Sequence, residues 1–476
     1  MKKFWLFILV YSMFAGLFIF NTSKVVNGER YFFLADDAMI SMQYAKNFVA
    51  GNGLVWSVGE RVQGFTNPLW TMYMTIPHFL NIPHSKCSLF IQLTAYLFMI
   101  GTLFLIWKMS ENIVVLVFVG FFLPLNHWFY SGLEVSILTF LCTLVSYLTA
   151  KKKYPYLIFL LCGLMIWIRI DMTLFFMLII LQFRDERVSE TAVCLLVFFV
   201  CSLLVWSKLN YGDWLPNTYY LKMYHYPLWM RLCRGVATVG LNFFTMNWIV
   251  FGLAFMSVKT NRTEKLILSF FVLEVLYSVY IGGDVWEAQG GTNRFITLAI
   301  PLVFMMLVQI IDKTIWHLNI YSTPVKIAIF CLIFINLNML MSKPQSLGKY
   351  FLPTVETLDS ENTLKIALKL KPMPHNLVIA TQGAGVLPYF SEQPHYIDLH
   401  GKCDKVIAHG EITGVHSLWD VFTTAPGHIK YNQAYSIIQL QPDIIVHPIN
   451  DGMIDWYLKK NYEELYKDTW IKKGIK

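Results

Sequence analysis

The sequence predicts a polytopic α-helical membrane protein of about eleven membrane passes, followed by a C-terminal soluble α/β domain. Three observations predict it. The 476-residue chain is 56% hydrophobic and only 14% charged, where a soluble domain carries roughly a quarter charged residues. Apolar runs recur through residues 1–343 and then stop, and about 20 mostly apolar residues make a spanning helix. Lys and Arg cluster in the short stretches between those runs, as membrane orientation requires. The net charge of +8 therefore reads as topology, and no nucleic-acid partner is expected.

The chain starts Met1-Lys2-Lys3 and runs apolar to Phe20 with no small-x-small site after it, which predicts an uncleaved first span rather than a signal peptide. Further spans are expected at about 88–107, 112–128, 133–150, 156–183, 190–208, 236–257, 266–281, 294–311 and 324–342. The positive-inside bias puts Lys108, Lys151-Lys152-Lys153, Arg184, Arg187, Lys259, Arg262, Lys265 and Lys313 on the cytoplasmic side. Two conditions follow. Residues 66–82, although apolar, cannot cross, and are expected to dip into or lie on the outer interface. Residues 156–183 must go in and come back, turning at their polar break, Arg169-Ile170-Asp171. The outer face then receives the 21–87 loop, Ser131-Gly132-Leu133-Glu134, the Arg169/Asp171 turn, residues 209–235, the 282–294 loop and the tail.

The tail, 344–476, has ordinary charge density and no spanning run. Strands are predicted at Asn376-Leu377-Val378-Ile379-Ala380, Tyr396-Ile397-Asp398-Leu399 and Asp443-Ile444-Ile445-Val446, with helices at 361–371 and 429–440. Gly383-Ala384-Gly385 lacks the further glycine and acidic partner of a dinucleotide fingerprint. Of eight Cys, seven lie in or beside apolar segments and none form CxxC, which argues against a disulfide framework and a thiolate metal site.

The polar residues on the outer face suggest a chemistry. Asp36 and Asp37 stand directly after the first span, where paired carboxylates are costly without a use. Capping the helix that follows would need one of them, so the pair points to general-base work. Nucleotide sugars are absent outside the cytoplasm, so a membrane enzyme building glycans there draws on a sugar carried by a lipid phosphate. Cations must then stabilise the departing phosphate. The outward candidates are Arg30, Lys46, Arg61, Arg169, Lys222, Arg231, Arg234 and Arg294. At Arg169, which sits in an apolar run, a structural pair with Asp171 competes with a site role.

Asp36-Asp37-Ala38, Gln43-Tyr44-Ala45-Lys46-Asn47, Gly51-Asn52-Gly53, Gly59-Glu60-Arg61-Val62 and Gly64-Phe65-Thr66-Asn67-Pro68-Leu69-Trp70 together resemble the first extracytoplasmic loop of bacterial GT-C membrane glycosyltransferases. The nearest branch is that of the terminal arabinofuranosyltransferases. Ser131-Gly132-Leu133-Glu134, Arg169-Ile170-Asp171, Tyr211-Gly212 to Lys222, Gly282-Gly283-Asp284, Arg294-Phe295 and Asp398-Leu399-His400-Gly401 follow in the family's order. The resemblance implies a polyprenyl-phosphate sugar donor, inversion at the anomeric carbon, a glycan or glycolipid acceptor and a bacterial inner-membrane location with the site extracytoplasmic. It implies Asp36 as base, Asp37 as the acid that orients it or helps hold a divalent cation (Mg or Mn, left open), and Lys222, Arg294 and Arg169 as cations for the donor phosphate. Arg61, Asn67, Trp70, Glu134, Asn217, Tyr220 and Asp284 are expected to bind substrate. The departure is Ile170, where relatives commonly carry Pro. Two other readings stay open: a transporter or flippase of lipid-linked sugar, and a non-catalytic glycolipid-binding protein.

Overall fold

A computed structural model describes residues 1–183, 185–245, 261–284, 293–317, 327–328, 330–334, 355–415, 417–449 and 452–475. The expected spans at 236–257 and 324–342 fall largely outside these residues, as do Val285–Thr292 of the glycine-rich loop and the 343/344 boundary. The chain divides into two compact units.

The first unit comprises Met1–Asn21, Ile91–Ser202 and Arg231–Thr354. Among the described residues, the helices Lys2–Asn21, His84–Ser110 and Glu186–Tyr211 are long and apolar enough to cross a membrane. The expected span at 112–128 is instead two helices, Ile113–Gly120 and Leu123–Tyr130, bent by 55°. Pro124 lies at the start of the second and cannot continue a helix's hydrogen-bond ladder. In lipid the carbonyls freed at such a break need partners, and Asn126 supplies them. Its Nδ2 donates to Gly120 O and Phe122 O, both at 2.9 Å, while its Oδ1 accepts from the Tyr11 hydroxyl at 2.9 Å.

The expected reversal within 156–183 is present. Helices Pro155–Ile168 and Met172–Ile180 flank the break at Arg169–Asp171, and the Phe159 ring meets Phe176 at 6.0 Å and Phe183 at 5.0 Å. A straight helix would hold residues 159 and 183 about 36 Å apart. Arg262 Nε donates to Gln182 Oε1 at 3.1 Å, so helix Arg262–Ile281 begins where Met172–Ile180 ends. Two loops expected on the cytoplasmic side thus share one end of this unit. Glu134, Arg169 and Asp171 gather away from that end.

The second unit comprises Thr22–Phe90, Leu203–Met230 and Val355–Lys476. The tail therefore does not stand alone, as the division at 343/344 had it: the first loop and residues 203–230 fold with it. The first loop opens with an antiparallel hairpin of β1 Ser23–Val26 and β2 Glu29–Phe32. The tail carries β3 Val378–Thr381, β4 His395–Asp398, β5 Ile444–Val446, β6 Tyr462–Tyr466 and β7 Thr469–Lys472, in the sheet order β4-β3-β5-β7-β6. β3 pairs parallel with β4 and β5, and the terminal hairpin of β6 and β7 adds antiparallel to β5. The three expected strands are β3, β4 and β5. Burial of Ala380, Ile397, Ile437, Ile445, Leu458 and Tyr462 makes the core behind the sheet. The expected helix at 361–371 lies within Val355–Leu370, and 429–440 shortens to one wide turn over Ala434–Gln439.

The first loop attaches to this sheet by specific bonds. Trp56 Nε1 donates to Ala384 O at 2.8 Å, and Val58 N to Pro394 O at 2.9 Å. Residues 66–82 form the short helices Pro68–Tyr73 and Ile76–Phe79, not a span. Leu69, Met72, Ile76, Phe79 and Leu80 are exposed at helical spacing, while Trp70, Thr71, Thr75 and His78 are buried. An exposed apolar stripe of this kind suits a membrane interface.

Candidate functional site

The candidate site of the second unit starts at the first turn of helix Asp36–Val49, which carries both carboxylates at its N-terminus. That end of a helix favours negative charge. Asp36 does not cap its own helix. Its Oδ1 accepts from the backbone N–H groups of Gly385 at 3.0 Å and Val386 at 3.2 Å, the turn after β3 that the Gly383-Ala384-Gly385 motif builds. A Cβ on Gly385 would sit 2.2 Å from Asp36 O, so only glycine admits this approach. No hydrogen bond to Oδ2 forms among the described residues. Burial pushes the Asp36 carboxyl above its ordinary range, Lys402 pulls it down and Asp37 pushes it up again.

Asp37 Oδ1 receives Lys402 Nζ at 2.7 Å. Burial works against the Lys402 charge, but Asp37 and Asp36 together hold its ammonium above the ordinary range. Lys402 joins the candidate site through this bond and was not among the residues expected from the sequence. It follows the Asp398-Leu399-His400-Gly401 motif directly, and that adjacency was the available signal.

The loop carrying Lys402 is fixed from three sides. The Asp398 carboxylate, at the end of β4, accepts from His400 N at 2.9 Å and Cys403 N at 2.8 Å. Burial nonetheless pushes its pKa up to about 6. Asn217 Nδ2 donates to the carbonyls of Gly401 at 2.9 Å and Asp404 at 3.0 Å, and its backbone N–H bonds Gln63 O at 2.8 Å. Tyr44 OH donates to Val62 O at 2.6 Å and accepts from Gly64 N at 2.9 Å. A Cβ on Gly64 would meet Cys403 Sγ at 2.4 Å.

The other expected site residues of this unit play varied parts. Asn67 Oδ1 accepts from Ser41 at 3.1 Å and Thr71 at 2.9 Å, which ties the first-loop helix to helix Pro68–Tyr73. Trp70 is buried and stacks on Tyr73 at 5.1 Å. Tyr220 stacks on His409 at 4.1 Å. Lys222 packs along Gly427, where a Cβ would lie 3.3 Å from its Cε. Arg61 is exposed and within electrostatic reach of Tyr211.

The first unit holds Glu134, Arg169, Asp284 and Arg294 as a second cluster. Arg169 Nε donates to Asp171 Oδ1 at 2.8 Å, its terminal nitrogen reaches Asp171 Oδ2, and Glu134 lies 3.6 Å away. All three side chains are buried, and the Arg169 guanidinium lies over the Phe295 ring at 4.7 Å. Asp284 faces Arg294 at 3.3 Å and accepts from its backbone N–H at 3.3 Å. Two of the three cations expected at the phosphate, Arg169 and Arg294, are thus paired with carboxylates.

Lys402 holds Asp37 Oδ1, and among the described residues there is no group of three or more His, Cys, Asp or Glu that could hold a metal ion.

The helical unit and the sheet-bearing unit together have the GT-C fold that the first-loop motifs implied. In particular, the chain is similar to ArnT from Cupriavidus metallidurans, in crystal structures bound to undecaprenyl phosphate and in the apo state. Identity is 11% and 10%, coverage 98% of this chain and 97% of that chain, and TM-score 0.58 in both. No protein-family model and no curated protein matches the sequence. The structures that match lend nothing to the arabinofuranosyltransferase branch in particular.

Proposed function

We propose that the protein is a glycosyltransferase that moves a sugar from a polyprenyl-phosphate donor to a hydroxyl of a cell-envelope glycan or glycolipid, with inversion, on the extracytoplasmic face of a bacterial inner membrane. The observation that carries it is Asp36: one carboxylate oxygen is anchored by two backbone N–H groups and the other has no hydrogen bond among the described residues. A base held this way is oriented without being consumed. The acceptor hydroxyl oxygen bonds to the anomeric carbon, the bond from that carbon to the phosphate oxygen breaks, the proton goes to Asp36 Oδ2 and polyprenyl phosphate leaves. Lys402, held by Asp37, is the cation that favours the ionised form of Asp36. Lys222, in the same unit as Asp36, is assigned to the departing phosphate. Arg169, held by Asp171, is assigned to bracing the helices around Glu134. Undecaprenyl phosphate in the similar ArnT structure supports a lipid phosphate as the donor class.

The test compares surface glycans and lipid-linked sugars between the parent strain and one carrying Asp36→Asn. Loss of one terminal sugar with accumulation of its lipid donor supports the transferase and identifies the sugar. Unchanged glycans with the variant present would overturn it in favour of binding or transport.

A further inference from the structure

Helix Asp36–Val49 ends at a second polar feature, about 15 Å along the helix from Asp36. An open cleft of about 540 Å³ lies there, lined by Lys46, His78, Ile82, Pro83, His84 and Glu392 among others. That volume falls within the range of about 300–1,000 Å³ seen for ligand sites. Its polar lining includes Lys46, two histidines and the acid Glu392. His84 Nδ1 and Lys371 Nζ each lie 2.8 Å from Glu392 Oε1. Lys46 Nζ donates to Tyr389 O at 2.8 Å and Pro388 O at 3.2 Å and lies over the Tyr389 ring at 5.2 Å. Burial drops its pKa to about 7 against the pull of Glu392. His78 is buried, and among the described residues its Nε2 has no hydrogen-bond partner. A buried polar atom without a partner is uncommon enough to call for an explanation.

The surroundings indicate what the cleft takes. His78, Ile82 and Pro83 directly continue the segment whose exposed Leu69, Met72, Ile76, Phe79 and Leu80 make an apolar stripe. His84 opens a helix long and apolar enough to cross a membrane. A lysine-bearing cleft bounded by an exposed apolar stripe and the first residue of a helix long enough to cross a membrane is suited to meeting lipid headgroups. We infer that this cleft is a binding site for the phosphate headgroup of an anionic membrane lipid, with Lys46 as the charge partner and His78 Nε2 as a hydrogen-bonding group, separate from the Asp36 site. The inference is independent of whether Asp36 is a base.

The test uses the full chain, delipidated in detergent, with dioctanoyl phosphatidylglycerol as probe, dioctanoyl phosphatidylcholine as the zwitterionic control and inorganic phosphate as the free-anion control. Binding is read by thermal stabilisation and by lipid retained in native mass spectrometry. Phosphatidylglycerol is expected to bind saturably and at least about tenfold more tightly than phosphatidylcholine, and Lys46→Met to remove about that factor, as loss of a hydrogen bond to a charged group does. Because Lys46 also holds backbone carbonyls, Ala50→Trp serves as the second variant. Ala50 is an exposed residue of the cleft wall, and a bulky ring there should block the lipid while leaving the unliganded melting temperature in place. Equal binding of the two lipids would overturn the site, as would phosphatidylglycerol binding that Ala50→Trp leaves unchanged. Inorganic phosphate competing as strongly as the lipid would overturn the lipid as its ligand.

Discussion

Asp37 and Lys402 form a 2.7 Å ion pair across 365 positions of sequence. The pair joins the N-terminus of the first-loop helix to the loop after β4, and it sets the charge environment of Asp36. Its removal has a signed consequence. Lys402 lowers the Asp36 pKa, so Lys402→Met raises it, and the acid limb of the kcat/KM profile moves to higher pH. Lys402→Arg should retain most of the original profile. Profiles that superimpose for the wild type and Lys402→Met would sink the charge-pair role. Asp37→Asn combined with Lys402→Met should cost less than the sum of the two single changes, as coupled partners do.

Gly64 is where the first loop passes closest to the Lys402 loop. The Cβ of Gly64→Ala would meet Cys403 Sγ at 2.4 Å, Tyr44 OH at 3.0 Å and Lys402 O at 3.1 Å. Overpacking of this kind costs about 1–3 kcal/mol and displaces Lys402. Thermal unfolding and turnover should both fall. Adding Cys403→Ala should restore part of each. A double variant no better than Gly64→Ala would show that the clash lies elsewhere.

Asp398 gives a stability change with a definite sign. Its pKa of about 6 in the fold lies above the unfolded value of about 3.9. Between these values the unfolded chain releases the proton that the folded chain keeps. Its contribution is therefore fully present below about pH 4 and is lost as pH rises through about 6, on the order of 1 kcal/mol per pH unit in that window. Asp398→Asn should flatten that part of the stability curve, measured by thermal unfolding from pH 4 to 7. An unchanged slope would show that Asp398 ionises normally in the fold.

Arg169 separates bracing from phosphate binding. Arg169→Met leaves Asp171 buried without its cation, a loss of about 3–5 kcal/mol. Arg169→Met with Asp171→Leu should recover part of that loss, the remainder reflecting buried Glu134, which faces Arg169 at 3.6 Å. Donor affinity close to wild type in the recovered protein is the expected outcome, measured with a labelled polyprenyl-phosphate sugar. A large loss of affinity at restored stability would instead put Arg169 on the phosphate.

Local pattern fixed much of this protein in advance. An apolar run in lipid has to satisfy its own backbone, which makes it a helix, so the class was legible from composition and run length. The reversal at Arg169-Ile170-Asp171 was legible because charge is costly mid-span, and that 66–82 is not a span followed from the parity of the basic loops. β3, β4 and β5 were legible as short apolar runs, and Asp36 and Asp37 as an unexplained acidic pair at a helix start. The β6–β7 hairpin was not, because β6, Tyr462–Tyr466, carries two glutamates and gains its place by pairing with a neighbour. The break at Gly120 to Leu123 depends on Asn126, held by the Tyr11 hydroxyl, meeting its freed carbonyls, which no single segment announces. Lys402, the bonds of Asn217 to its loop and the Gly385 and Val386 N–H groups on Asp36 were decided by tertiary structure alone. A charge chooses its partner by proximity and shared burial, and those exist only once the first loop, residues 203–230 and the tail have folded into one unit.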